Sequence, residues 1–130
     1  MTTLLAVPAT ASAASSVTPG VTAGPVTCAA DPSAAGSPCV WHERDAAGLA
    51  GLARLTPTAA QPVLAKVELR TQRAWGSPWL TVASTTAVRS GPAVLTTPKV
   101  VTGELSIVCV TTAPVRAPEQ QTTVCTHPSA

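Results

Sequence analysis

"VLAKVELRTQR", residues 63–73, alternates strictly. Val63, Ala65, Val67, Leu69 and Thr71 interleave with Leu64, Lys66, Glu68, Arg70 and Gln72. A period of two with one mostly polar side is the pattern of an antiparallel strand with one face buried. "WLTVASTTAV" (79–88) follows across "AWGSP", so the two segments are expected to pair as a hairpin. Setting Leu69 opposite Val82 places Thr71 against Leu80 and Val67 against Ser84 on the inner face. Arg70 then meets Thr81, and Gln72 meets Trp79, on the outer face. A slip of one residue would expose the apolar set.

Further strands follow by the same reasoning. "AVLTTPKVV" (93–101) contains Pro98, which confines it to a sheet edge or a bulge. "ELSIVCVTT" (104–112) is apolar on both faces from Ile107 to Val110 and is expected to be central. "QTTVC" (121–125) completes the set. "DAAGLAGLARLTP" (45–57) is expected to hold one weak helical turn capped by Asp45, with Gly48 and Gly51 opposing a longer helix. Five to seven short strands at roughly ten-residue spacing predict an all-β protein, a small antiparallel β-sandwich.

The composition agrees with a folded domain of modest size. The 130 residues suit one domain with a small core. Phe, Tyr and Asn are absent, so Val and Leu must supply most of the core, with Trp41, Trp75 and Trp79 as the aromatic residues. Thirteen prolines are about twice the average usage. The net charge of +2 is nevertheless too low for a chain kept open by repulsion. The basic residues are scattered without a stripe or interleaved aromatics, which argues against nucleic acid as a partner.

"LLAVPATASAA" (4–14) reads as the end of a secretory signal, with Ala11-Ser12-Ala13 as an A-x-A cleavage site. Residues 1–13 are thus expected to be the C-terminal part of a signal peptide. Residues 14–27 would form a flexible or extended lead-in, and residues 28–130 the β-sandwich. No stretch approaches the ~20 apolar residues of a membrane span, so the expectation is a secreted, extracellular protein without membrane insertion.

An even number of cysteines in an exported domain points to disulfides. The sequential pairs Cys28–Cys39 and Cys109–Cys125 are favoured. Folding the chain back around "APVRAPEQQ" (113–121) sets Cys109 opposite Cys125. The same register sets Val110 opposite Val124, Thr111 opposite Thr123 and Thr112 opposite Thr122, the like-with-like pairing that cross-strand packing favours. The rival bridge, Cys39–Cys109, would be of immunoglobulin type. It lacks the core Trp about a dozen residues after the first cysteine.

"SPCVWHERD" (37–45) is the densest run of reactive side chains. It is not H-E-x-x-H, because Ala46 stands where the second ligand belongs. G-x-S-x-G does not occur. Cys39-x-x-His42 with Cys125-x-His127 could in principle hold zinc, although oxidation of the thiols competes. His42 beside Glu43 and Asp45 is the one drawable general base. "CVWHERD" is read as a short strand leaving a disulfide, with Trp41 on one face and the charges on the other. No catalytic residue, metal or cofactor is therefore assigned.

In layout, with "CVWHERD…SIVCVTT…TTVC" as its skeleton, the chain resembles small secreted β-proteins of actinobacteria. It is similar in particular to the adaptor subunits of secreted umbrella-type toxin particles. That resemblance implies a non-enzymatic module linking other secreted proteins. A secreted protease inhibitor is the alternative, and a minor hydrolase using His42 a third. For binding, the hairpin register points to Trp75 and Trp79, with Arg70 and Arg73 alongside, because Trp and Arg dominate interface hot spots.

Overall fold

The computed structural model describes residues 20–30, 36–58 and 60–129. The expected leader, residues 1–13, and the first part of the lead-in lie outside the described residues. The protein is all-β. Among the described residues, nine strands run in chain order: β1 (Thr22–Ala23), β2 (Thr27–Cys28), β3 (Cys39–Asp45), β4 (Gly48–Leu55), β5 (Val63–Gln72), β6 (Leu80–Arg89), β7 (Ala93–Thr96), β8 (Leu105–Pro114) and β9 (Thr122–Cys125). One sheet has the order β1-β3-β4-β7, with β2 on the same edge of β3 as β1. The other has the order β6-β5-β8-β9. Every pairing within the two sheets is antiparallel.

The sheets close over one apolar core. Val40, Leu49, Ala53, Leu55 and Leu95 come from the first sheet. Val63, Ala65, Val67, Leu69, Val108 and Val110 come from the second. The alternation of β5 decides its orientation: Val63, Ala65, Val67 and Leu69 are fully buried, while Leu64 and Lys66 are exposed. With Val, Leu and Ala as the filling, the sheets approach closely. At Gly51 an added Cβ would sit 2.9 Å from Val108 Cγ1 of the opposite sheet.

β8 is central and β7 is an edge strand that ends before Pro98, both as expected. Thr97 makes that ending possible. Its buried hydroxyl accepts from Gly51 N–H (3.0 Å) and donates to Pro98 O (2.9 Å). A side chain thus takes over where the backbone ladder with β4 is interrupted.

Both sequential disulfides are present, Cys28–Cys39 and Cys109–Cys125, consistent with an oxidising environment. The register of β8 with β9 is the one derived from the sequence: Cys109 faces Cys125, Val110 faces Val124, Thr111 faces Thr123 and Thr112 faces Thr122.

Two expectations are corrected. The helical turn in residues 45–57 is instead a hairpin leading into β4. Asp45 pairs with Gly48, and Asp45 Oδ1 accepts from Ala47 N–H at 2.8 Å, which tightens the turn. Gly48, at φ 134°, takes a backbone conformation closed to most residues. Leu49, Ala53 and Leu55 alternate into the core, and that burial overrides the helix-forming alanines.

The second correction concerns the β5–β6 register. Arg70 faces Thr81 and Thr71 faces Leu80, as expected. Beyond them the register shifts by one: Leu69 faces Ala83, not Val82, and Val67 faces Thr85, not Ser84. Val82 is the extra residue of a β-bulge. The small residues Ala83 and Ala87 pack against the core, and Thr85 Oγ1 donates to Thr96 O of β7 at 2.8 Å. The tip of the hairpin and the core demand registers one residue apart, and the bulge absorbs the difference.

Candidate binding surface

The tip of the β5–β6 hairpin is built by a tight turn. Ser77 N–H donates to Ala74 O at 2.9 Å, and Gly76 has φ 86°. A positive φ at the third residue is the requirement of a type II turn. Gln72 Nε2 braces the turn from below by donating to Ser77 O at 2.8 Å. This geometry thrusts the second residue, Trp75, into solvent, where it is 96% exposed.

The four residues singled out from the sequence do not share one surface role. Trp75 and Arg73 stand out at the tip; Arg73 is exposed, with only a long ion pair to Glu104 (3.7 Å). Trp79 is half-buried just before β6. Arg70 is half-buried and committed to the fold: its Nη2 donates to Glu68 Oε1 at 2.6 Å. Glu68 also accepts from Thr81 Oγ1 (2.9 Å) and lies 3.6 Å from Lys66 Nζ. Burial opposes ionisation of Glu68, but the bonds from Arg70 and Thr81 and the charges of Arg70 and Lys66 outweigh it. The net effect holds the carboxyl below its ordinary range.

Beneath the tip, Leu80 and Val82 join Thr71, Arg73, Ser77, Pro78 and Glu104 around a shallow depression. Leu80 is 60% and Val82 42% exposed. Sequence reasoning missed both, because alternation assigned Leu80 to the core face. What it could not register is that β6 is the outermost strand of its sheet, where Leu80 stays exposed although Thr71 directly across from it is buried.

A second concave surface lies on the outer face of β3 and β4. Trp41, Glu43 and Arg54 form its floor, and Val21, Ala23, Gly24 and Val26 line its side. Trp41 Nε1 donates to Glu43 Oε2 at 3.2 Å, and Arg54 Nη2 to Cys39 Sγ at 3.4 Å. Trp41 therefore shares a face with Glu43, contrary to the expectation that the tryptophan and the charges lie on opposite faces of this strand. The strand itself, β3, spans "CVWHERD" as expected.

The same alternation separates His42 from the carboxylates drawn beside it. His42 lies in a crevice with Pro25, Thr27, Thr126, His127, Pro128 and Ser129. Burial, then the Arg44 charge, lowers its pKa below the ordinary imidazole value. Asp45 is engaged elsewhere. The Lys99 ammonium bonded to it, with the Ala47 N–H, holds its carboxyl below the usual range. The drawn zinc set also dissolves, since Cys39 and Cys125 are in disulfides and cannot serve as thiolates. Among the described residues, no group of three or more His, Cys, Asp or Glu side chains is placed to hold a metal ion.

No family model, curated protein or solved structure matches this chain.

Proposed function

We propose that this protein is a secreted, non-enzymatic binding module of adaptor type, joining other extracellular proteins. The observation that carries the reading is Trp75. A tryptophan held 96% exposed on a braced turn contributes nothing to the core, yet it is the side chain type that most often anchors an interface. Arg73 at the same tip adds a donor fork, and Leu80 and Val82 extend the apolar contact area. The disulfides suit an exported protein, and the resemblance in layout to adaptors of toxin particles gives the class of partner: larger secreted proteins.

The test is quantitative capture from the secreted fraction by the mature protein, alongside Trp75→Ala. Truncating a central Trp anchor is expected to weaken capture by roughly 2 kcal/mol or more, with the melting temperature unchanged. An adaptor retains two different partners at once. Stoichiometric block of a protease would establish the inhibitor reading instead. Hydrolysis abolished by His42→Ala would establish the enzymatic one.

A further inference from the structure

The edges of the two sheets are protected to different degrees. In the first sheet, β1 and β2 are two residues each, and β7 is four residues long and stopped by Pro98. In the second, β9 has four residues, after which Thr126 and Ser129 bond back to β8. β6 is different. It is a ten-residue terminal strand that, among the described residues, pairs only with β5. No charged residue occurs from Leu80 to Val88 and no proline between Pro78 and Pro92. The bulge at Val82 lies toward the tip and leaves residues 83–89 in regular register. Charges, prolines and brevity are the usual protections of an edge, and from Ala83 to Val88 this one has none of them; its one charge, Arg89, stands at the end of the strand.

Which backbone groups it presents follows from the disulfide on the other side of the sheet. Cys109 and Cys125 are directly opposed with Cα atoms 4.1 Å apart, the close spacing of a non-hydrogen-bonded pair. Bonding directions alternate along a strand. Cys109 and Thr111 must therefore bond toward β5, to Glu68 and Lys66. On β5 the odd residues then bond toward β6, to Ala83, Thr85, Ala87 and Arg89. The N–H and C=O groups of Ser84, Thr86 and Val88 are left pointing away from the sheet. Among the described residues, the bond that reaches them is from Arg89 Nη1 to Val88 O (3.0 Å), on an exposed carbonyl that retains a second lone pair. β7 is near, but the contact runs from the inner face, through the Thr85 hydroxyl.

We propose that this edge pairs antiparallel with β6 of a second copy of the chain, about a two-fold axis at Thr86. In that register Ser84 faces the partner subunit's Val88 and Thr86 faces the partner subunit's Thr86. Each pair exchanges both hydrogen bonds, as even positions on both strands require. The register is self-complementary in charge as well. Arg89 falls opposite Ala83, so the two guanidinium groups lie at opposite ends of the seam. The Lys66 groups of the two copies are three strand spacings apart, roughly 14 Å, beyond the Debye length of about 8 Å. On the outer face, exposed Leu64 and Val88 would continue into the neighbouring sheet.

Sedimentation velocity over micromolar to millimolar concentrations tests this on the mature protein, with Thr86→Pro and Thr86→Lys as variants. Proline at 86 removes an outward N–H and leaves the β5 ladder intact. Lysine sets two ammonium groups face to face at the axis. Wild type is expected to dimerise with concentration and both variants to remain monomeric. In hydrogen exchange, Ser84, Thr86 and Val88 amides should gain protection on dimerisation, while those of Thr85 and Ala87 are protected at every concentration. Should Thr86→Pro fail to fold, the lysine variant and the exchange pattern still decide. A wild type that stays monomeric throughout, or captures only a foreign strand, overturns the proposal, as does a dimer that persists in both variants. Trp75→Ala should leave the dimer unchanged, so failure here is distinct from failure of the adaptor reading.

Discussion

The β8–β9 and β5–β6 hairpins lie on either side of the same two central strands, yet they are aligned by different means. β9 is held by side chains directly across from it. Cys125 is bonded to Cys109, and the Thr111 and Thr123 hydroxyls meet at 3.1 Å on the outer face. On the inner face Thr112 Oγ1 is buried without a hydrogen-bond partner, so this like-with-like pair adds packing and no bond. β6 has no disulfide, and its side-chain bond to β5, from Thr81 Oγ1 to Glu68, lies near the tip. Its far half is aligned by what the core accepts, its near half by the turn at Gly76, and Val82 is the residue left over. A hairpin pinned locally has one register, whereas one aligned from both ends can carry a bulge between them.

Breaking the pin should have the largest effect. Replacing Cys109 and Cys125 by alanine removes the closure of a 16-residue separation and is expected to cost about 2–4 kcal/mol in denaturant unfolding. The bulge is tested by a pair of substitutions on β6. In the observed register Ala87 faces Ala65 on the core side and Thr86 faces Lys66 outside. Ala87→Asp should therefore lose about 2 kcal/mol or more by setting a carboxylate against the core. Thr86→Asp should stay within about 0.5 kcal/mol when measured at concentrations low enough to leave the edge unpaired. The reverse result would restore the uninterrupted register.

The smallest effect is electrostatic. The folded state depresses the Glu68 pKa, so this carboxylate contributes stability above its unfolded value. That contribution is lost as pH falls through the depressed one. Unfolding measured from neutral into acidic pH should show a weaker acid-side decline in Glu68→Gln than in wild type. Identical profiles would mean that the Arg70 and Thr81 bonds do not set this ionisation.

Much of the architecture was readable from local chemistry. Alternation in β5 identified its buried face, because a strand sends successive side chains to opposite sides whatever lies beyond them. Pro98 marked β7 as an edge, because proline cannot donate to a ladder. The four cysteines and the threonines beside them were enough to align β9. β4 was harder to read, since glycine and alanine carry little periodic signal and the helix propensity of alanine misleads when the neighbouring sheet needs small residues. The candidate surface was legible in part. The hairpin register pointed to Trp75, while the bond of Arg70 to Glu68 two residues away was overlooked and the exposure of Leu80 depends on the edge position of β6.

By itself, then, the sequence determined the all-β class, the disulfide pairing and the place of Trp75 at a hairpin tip. Those depend on period, parity and turn chemistry over a few residues. Only the tertiary structure decided the bulge at Val82, the exposure of Leu80 and the position of β6 at the outer edge of its sheet. Each of these depends on how whole strands are placed against one another, and that placement is not written in any local pattern.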